Sequence, residues 1–291
     1  MDKKKLIVID ANSVIHRAYH ALPPLTTKTG ETVGAVYGFL LVFFKAVREF
    51  QPDFVVACFD VKGPTFRHKK YEGYKAKRPP LPEDLGRQIG RVKEVLRVFN
   101  VPIFEKEGFE ADDLIGTIAR LASQKQVVPE IETIILSGDT DSLYLVDERT
   151  KVYNLRKGVK DTVLYDENMV KEKYQGLEPK QLLDYRALKG DASDNIPGVP
   201  GIGEKTAIEL IREYGSLENI YENVSLISGK TREKLFQHKE DAFFSRELAK
   251  IHQNVPIEFN LEKYQWGGYD KEKAKKLLGQ MEFQSLISRL P

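Results

Sequence analysis

Short, unbroken apolar runs alternate with longer stretches of helical spacing through the first half of the chain. The runs LIVI, FVVACF and TIIL predict strands at 5–10, 53–59 and 131–137, with a further strand at 101–105. Helices are predicted at 12–20, 34–50, 82–99 and 110–123, the third opening on Pro82 with Glu83 and Asp84 in its first turn. Continuous apolar strands are expected where both faces of a sheet are covered. Strand and helix in alternation predict an α/β fold with a mostly parallel, Rossmann-like sheet, flanking helices and right-handed crossovers. A β-like stretch follows at 150–165, with Lys157-Gly158 as its turn. Beyond it the pattern is helical, at 166–174, 179–188, 203–214, 229–252 and 270–288. Gly and Pro gather in a loop at 197–203, and Trp266 with Gly267-Gly268 marks a short irregular connection. No internal repeat or low-complexity tract is present. The change of pattern divides the chain into an α/β region, 1–178, and a helical region, 179–291.

Nine acids stand where those strands and turns end: Asp10, Asp60, Glu110, Asp112, Asp113, Asp139, Asp141, Asp191 and Asp194. Three of them close apolar runs, Asp10 after LIVI, Asp60 after FVVACF and Asp139 after TIILSG. In an open α/β sheet the carboxyl ends of the strands share a crevice. Two unit charges about 4 Å apart repel by roughly 4 kcal/mol at an effective dielectric near 20. A cluster of carboxylates is tolerable there if hard divalent cations such as Mg²⁺ or Mn²⁺ neutralise it.

The net charge of +2 becomes +11 once those nine acids are set aside. Residues 62–78 carry Lys62, Arg67, Lys69, Lys70, Lys75, Lys77 and Arg78 against the single acid Glu72. A basic surface beside an acidic pit suits a polyanion whose phosphate must reach a metal. A solvated lysine-rich loop is the plain alternative. Phe66, Tyr71 and Tyr74, interleaved with the cations, favour stacking on unpaired bases.

GFEADDLIGTIARLA opens a helix at Glu110, with Glu110 and Asp113 three apart on one face. Acids complementing the helix dipole explain one or two such residues, not three in four. SGDTDSLYLV places Asp139 and Asp141 just after a strand and a glycine; Leu143 and Tyr144 exclude a helix-loop-helix calcium site. GDASDNIPGVPGIGEKTA joins Asp191 and Asp194, spaced as a polar turn, to a glycine loop. That loop nearly imitates a phosphate-binding P-loop, but Glu204 stands where the lysine belongs, so nucleotide binding is excluded. A hairpin between helices fits better. There Gly201 and Gly203 would admit a nucleic-acid phosphate to backbone N–H groups, with Lys205 nearby.

Other chemistry is thinly represented. Cys58 is the only cysteine and falls in a buried strand, which fits a reducing cytoplasm and excludes a disulfide framework. No apolar run approaches the roughly 20 residues of a membrane span, and the apolar segment after MDKKK is too short for a signal peptide. His16 and His20 are four apart on one helix, without the HExxH of a zinc hydrolase, and read as packing or hydrogen-bonded residues. No GxSxG elbow is present.

Together LIVIDANS, FDVKGPTFRHKKYEGYKAKRPPLPEDL, GFEADDLIGT, SGDTD and GDASDNIPGVPGIGEKTA resemble, in order and spacing, the 5′-nuclease domain at the N-terminus of bacterial DNA polymerase I, a relative of flap endonucleases. The resemblance spans nearly the whole chain. It implies a PIN-like α/β nuclease core, a helical helix-hairpin-helix region, and metal-dependent cutting of flapped and nicked DNA from the 5′ side. By motif, Asp10, Asp60, Glu110, Asp112 and Asp113 would belong mainly to one metal centre, and Asp139, Asp141, Asp191 and Asp194 to a second. Lys75 and Arg78 match the family's cations at the scissile phosphate, and Tyr74 would stack on a terminal base. Residues near 62–85, with Arg67, Lys69, Lys70 and Lys77, resemble the arch that admits a 5′ single strand. Gly198, Gly201, Gly203, Lys205 and Thr206 match the hairpin that holds duplex phosphates and often a K⁺ ion. Thr140 and Tyr144 depart from the family's usual basic residue and glutamine, which puts substrate grip in question but not the metal chemistry.

The resemblance implies two-metal hydrolysis, with ions about 4 Å apart, leaving 5′-phosphate and 3′-hydroxyl ends. DNA with a 5′ flap, a nick or a single-strand junction is the expected partner, in replication and repair at the nucleoid. RNA primer strands stay open as substrates, and the ending at SLISRLP resembles a boundary after which a polymerase follows. Two rival readings are a catalytically silent fork-binding module and a PIN-type ribonuclease. The full acidic set argues against the first, and the hairpin and basic segment against the second.

Overall fold

A computed structural model describes residues 3–124 and 130–291. The apolar runs form β1 (Lys4–Asp10), β2 (Phe54–Cys58), β3 (Ile103–Phe104) and β4 (Ile131–Ser137), and the later stretch forms β5 (Thr150–Leu155) and β6 (Thr162–Tyr165). They join in one sheet of order β3-β2-β1-β4-β5-β6, parallel except for the β5–β6 pair. The first helices are α1 (Ala11–Ala21), α2 (Gly34–Phe50), α3 (Phe66–Lys70), α4 (Glu83–Val98) and α5 (Ala111–Ala122). Then come α6 (Glu167–Lys173), α7 (Leu182–Lys189), α8 (Glu204–Tyr214), α9 (Leu217–Glu222), α10 (Gly229–Gln237), α11 (Lys239–Ala249), α12 (Lys271–Gln280) and α13 (Gln284–Ile287).

Alternate strand residues feed two cores, as the period of two requires. Ile7, Ile9, Val55 and Ala57 pack with α1, α2 and α4, whereas Leu6, Val8 and Val56 pack with α5 and the helices after it. Crossovers from β1 to β2 to β3 run one way, and the return from β3 to β4 runs the other. The helices therefore leave opposite faces at β1 and β4, and the carboxyl ends of these two strands open onto a crevice at the switch of direction. Gly138, just past β4, makes the junction tight. A Cβ there would meet the Ser13 carbonyl oxygen at 2.5 Å, so only glycine lets the first turn of α1 lie against the end of β4.

Several boundaries differ from expectation. The helix expected over 229–252 breaks at His238, whose backbone leaves the helical region while its ring pairs with Asp241 at 2.7 Å. The segment at 179–188 starts as a 3₁₀ turn, closed by the Gln181 side chain accepting the Glu178 N–H. Residues beyond Tyr264 return to the α/β part rather than staying with the helical region. The Trp266 N–H donates to the Asp53 carbonyl at 2.8 Å, its ring stacks on Phe99, and Leu277 and Leu278 join the core of α2 and α4. Among the described residues no helix is long and apolar enough to cross a membrane.

Candidate metal centre

Seven of the nine acids line one crevice of about 410 Å³ at the carboxyl ends of β1 and β4: Asp10, Asp60, Glu110, Asp112, Asp139, Asp141 and Asp194. Their positions follow from local structure. Asp10 ends β1 and caps α1, its carboxylate accepting the Ser13 N–H at 3.3 Å and the Ser137 hydroxyl at 2.7 Å. Asp60 accepts the Ala111 N–H at 2.8 Å, which ties the end of the β2 run to the start of α5. Glu110 is the N-cap of α5, and Asp112 lies in its first turn. Asp139 accepts the Asp141 N–H at 3.0 Å, so both belong to one tight turn after β4.

The electrostatics separate these acids into two kinds. Burial pushes Asp112 well above the ordinary carboxylate range, and the charges of Asp139, Asp10 and Asp141 push it further. Asp139 is raised to about 8 by burial and then by Asp141 and Asp10. Asp10 is raised by burial, against the opposing hydrogen bonds from Ser13 and Ser137. Protein cations serve Glu110, Asp194 and Asp141. Lys75 Nζ lies 3.0 Å from Glu110 and 3.8 Å from Asp194, Arg78 pairs with Asp194, and Arg186 donates to Asp141 at 2.6 Å. Burial alone would lower the Lys75 pKa, but Glu110 and Asp194 outweigh it and raise it.

Two of the nine acids lie elsewhere. Asp113 is fully buried beneath the crevice, not in it. Its oxygens accept both Arg67 guanidinium nitrogens at 2.8 Å, the Glu110 N–H at 3.0 Å and the His252 N–H at 2.8 Å. Asp113, expected to bind metal, thus has its lone pairs filled by the protein. Asp191 lines the adjoining groove with Asp139, Asp141, Arg186 and Lys189. Burial raises its pKa, but hydrogen bonds from Ser193 and the charge of Arg186 prevail and hold it low.

Some residues expected on DNA are also placed otherwise. Arg67 is buried as the partner of Asp113, because it is the cation that makes that interior acid tolerable. Tyr74 is buried too, its single hydroxyl proton shared between Glu110 at 3.0 Å and Asp194 at 3.2 Å, which leaves no ring face for a base. Gly198 is buried, its N–H spent on Ser245, and a Cβ there would strike the Gly190 nitrogen at 2.3 Å. Its glycine serves close backbone packing. Lys69 and Lys77 are exposed, and Lys70 pairs with Glu247 at the surface. Gly201, Gly203 and Lys205 are exposed at the turn into α8, with Thr206 in the first turn of that helix. Lys234 of α10 lies across Gly201 and donates to its carbonyl at 2.8 Å.

Other residues at the crevice were not read as functional. Asn12, Ser13, His16, Arg17 and His20 form its α1 wall, and Arg17 donates to the Gly138 carbonyl. His16 and His20 line the cavity instead of packing in the core, and the fourfold spacing was the only hint of it. Ser137, the first residue of SGDTD, and Arg186, which no motif marks, also orient acids of the crevice.

The donor set fits hard divalent cations: oxygen ligands, excess negative charge and acids raised by burial and then by one another's charge. Among the described residues no three His, Cys, Asp or Glu side chains form a ready-made metal cage. Lys75, Arg78 and Arg186 reach into the acid cluster, so a cation would compete with their ammonium and guanidinium groups for Glu110, Asp194 and Asp141. Residues that would hold it at the core of the crevice are Asp10, Asp112 and Asp139, which no cation pairs directly among the described residues.

Comparison with known proteins shows the family and the fold. Residues 5–175 match the model of the 5′-3′ exonuclease N-terminal resolvase-like domain, and residues 177–272 that of the 5′-3′ exonuclease C-terminal SAM fold. DNA polymerase I of Caldicellulosiruptor bescii is 43% identical over 288 residues, covering 98% of this chain and 33% of the relative. DNA polymerase I of Bacillus caldotenax is 41% identical over 99% of the chain and 32% of the relative. The chain therefore spans about a third of the length of these relatives. Among solved structures, the flap endonuclease of bacteriophage T5 in a complex with DNA and metal ions superposes with a TM-score of 0.68 at 18% identity, covering 98% of this chain and 96% of the other. The catalytic core of Rad2 with a DNA substrate gives 0.60 at 20% identity, covering 96% and 88%. These likenesses carry the fold, a parallel-sheet domain joined to a helical one. With both domain models matched in order along the sequence, the chain belongs to the 5′-3′ exonuclease family.

Proposed function

We propose that this chain is a structure-selective 5′ nuclease that hydrolyses phosphodiester bonds at the 5′ flaps, nicks and 5′ ends of DNA, in primer or flap removal and in repair. The observation that carries the reading is the gathering of seven carboxylates at the strand ends with Lys75 and Arg78 on the rim. Divalent ions, Mg²⁺ or Mn²⁺, would supply an activated water and charge stabilisation of the attacked phosphate when bound there. Asp10, Asp60, Glu110 and Asp112 would serve mainly one centre, and Asp139, Asp141, Asp191 and Asp194 a second.

The chain's own side chains account for the rest. Asp10 is kept in place by Ser13 and Ser137, so its oxygens stay aimed at the crevice. Lys75 and Arg78 remain charged and stand beside acids that bound ions would neutralise, which frees both cations for the substrate phosphate. Their charge is worth most where negative charge develops in the transition state. The exposed turn with Gly201, Gly203, Lys205 and Thr206 would hold duplex phosphates, with a K⁺ ion at the hairpin in the same reading. A polymerase region, as in the longer relatives, would be a covalent neighbour.

The test is a single-turnover cleavage assay with Mg²⁺ on 5′-flap DNA, nicked duplex and single strands of DNA and RNA. Flap DNA should be cut fastest, and Asp139→Ala should slow it at least about a thousandfold, as removal of a principal charge-stabilising element does. Full activity in D139A would refute the metal assignment, and preferred cutting of single-stranded RNA would favour a ribonuclease.

A further inference from the structure

We infer that Asn195 is a positioning residue that ties the loop entering the hairpin to the segment carrying Lys75, an inference that rests on the catalytic reading of Lys75 above. The Asn195 side-chain amide donates to the Gly73 carbonyl at 2.7 Å. One residue earlier, the Asp194 carbonyl accepts the Lys75 N–H at 2.9 Å. Between these two bonds lies the buried Tyr74, which packs with Ile196, Leu248 and Ala249. Residues 73–75 are thus docked on 194–196 by backbone and side-chain bonds before the Lys75 ammonium reaches Glu110.

The backbone explains why a tether is needed. Lys75 has φ of 55°, the left-handed region that a long side chain rarely adopts. Such a conformation persists only where its surroundings enforce it. Gly73 lies close under the end of the Tyr71 side chain, where a Cβ would meet the ring at 2.6 Å. Asn195 itself has φ of 57°, which asparagine tolerates better than most residues. The Gly73 carbonyl also accepts the Ala76 N–H at 3.2 Å, and the Asn195 amide is its one side-chain donor among the described residues. The same loop runs on through Pro197 into the hairpin, so a duplex held at the hairpin would steady the strap that aims Lys75.

Asn195→Gly keeps the left-handed backbone without strain and removes the donor alone. The whole chain would be assayed by single-turnover cleavage of 5′-flap DNA with Mg²⁺, and binding measured separately with Ca²⁺ in its place. N195G should cut about tenfold more slowly, the scale of effect that a small misplacement of a catalytic group produces. Flap binding should stay within about twofold, and in a Lys75→Ala background N195G should add less than about twofold, because residues that act through one another are not additive. Asn195→Asp, which tolerates the same backbone but cannot donate, should reproduce the loss and serves if the glycine variant does not fold. Wild-type speed in N195G, or equal slowing with and without Lys75, overturns the inference while leaving the catalytic reading intact. Wild-type speed in K75A alone overturns the catalytic reading and the inference with it.

Discussion

Asp112 and Asp113 are adjacent in one motif, yet they meet opposite surroundings. Asp113 points into the protein, where Arg67 takes both its oxygens and two backbone N–H groups complete them. Asp112 faces the crevice, where its neighbours are Asp139, Asp10 and Asp141, and its pKa rises well above the ordinary range. The chain supplies a cation to the acid that holds its architecture together. It withholds one from the acids at the strand ends. A fold that satisfies one carboxylate so fully beside others left to repel is what the proposed metal binding requires of the second group.

The largest effect expected from breaking this contrast falls on the interior pair. Arg67→Met leaves Asp113 buried without its partner, and removal of one member of a buried pair typically costs 3–5 kcal/mol, so R67M should lose about that much stability in denaturant melts. Replacing both, R67M with D113L, should recover only part of the loss: the buried charge is gone, but the Glu110 and His252 N–H groups that Asp113 accepts are left without a partner. Wild-type stability in R67M would mean that the pair holds nothing together.

A smaller effect of opposite sign is expected in the crevice. Asp139 has a folded pKa of about 8 against an ordinary 3.8, so between those values the folded protein keeps a proton that the unfolded chain has lost. Without metal, wild-type stability should therefore fall as pH rises through that window. Asp139→Asn carries no charge and escapes the loss. D139N should be the more stable protein near pH 8 in EDTA, with the advantage shrinking as pH falls toward about 4. Melting curves of the two proteins across that range check it, and an advantage that does not vary with pH would contradict it.

The contrast also marks what the sequence could reveal. Strands β1 and β4 are legible because each apolar run is closed within a few residues by an acid, Asp10 at the end of β1 and Asp139 two residues past β4, and helices α2, α4 and α5 are legible from their periodicity. Burial of Arg67 and Tyr74 was not legible. Their partners Asp113 and Asp194 lie 46 and 120 residues away, and a lysine-rich segment gives no sign of which cation turns inward. Gly198 looked like a hairpin glycine, and only the approach of the Gly190 backbone reveals its packing role. Asp112 and Asp113 could not be separated by sequence because both sit in the first turn of α5, and the distant Arg67 and His252 supply the donors that hold Asp113 inside. The return of residues 265–291 to the α/β part likewise depends on the distant Asp53 and Phe99.

The central claim is that the strand-end carboxylates destabilise the fold until a divalent cation joins them. Its most direct test is the melting temperature of the EDTA-treated protein near pH 7.5, an ordinary buffer choice of about neutral value, with and without saturating Mn²⁺, for the wild type and for the double variant D112N/D139N. Mn²⁺ should raise the wild-type melting temperature by several degrees, as a ligand specific to the folded state must. The double variant should start higher and gain little. A wild type indifferent to Mn²⁺, or a double variant that gains as much as the wild type, would contradict the account.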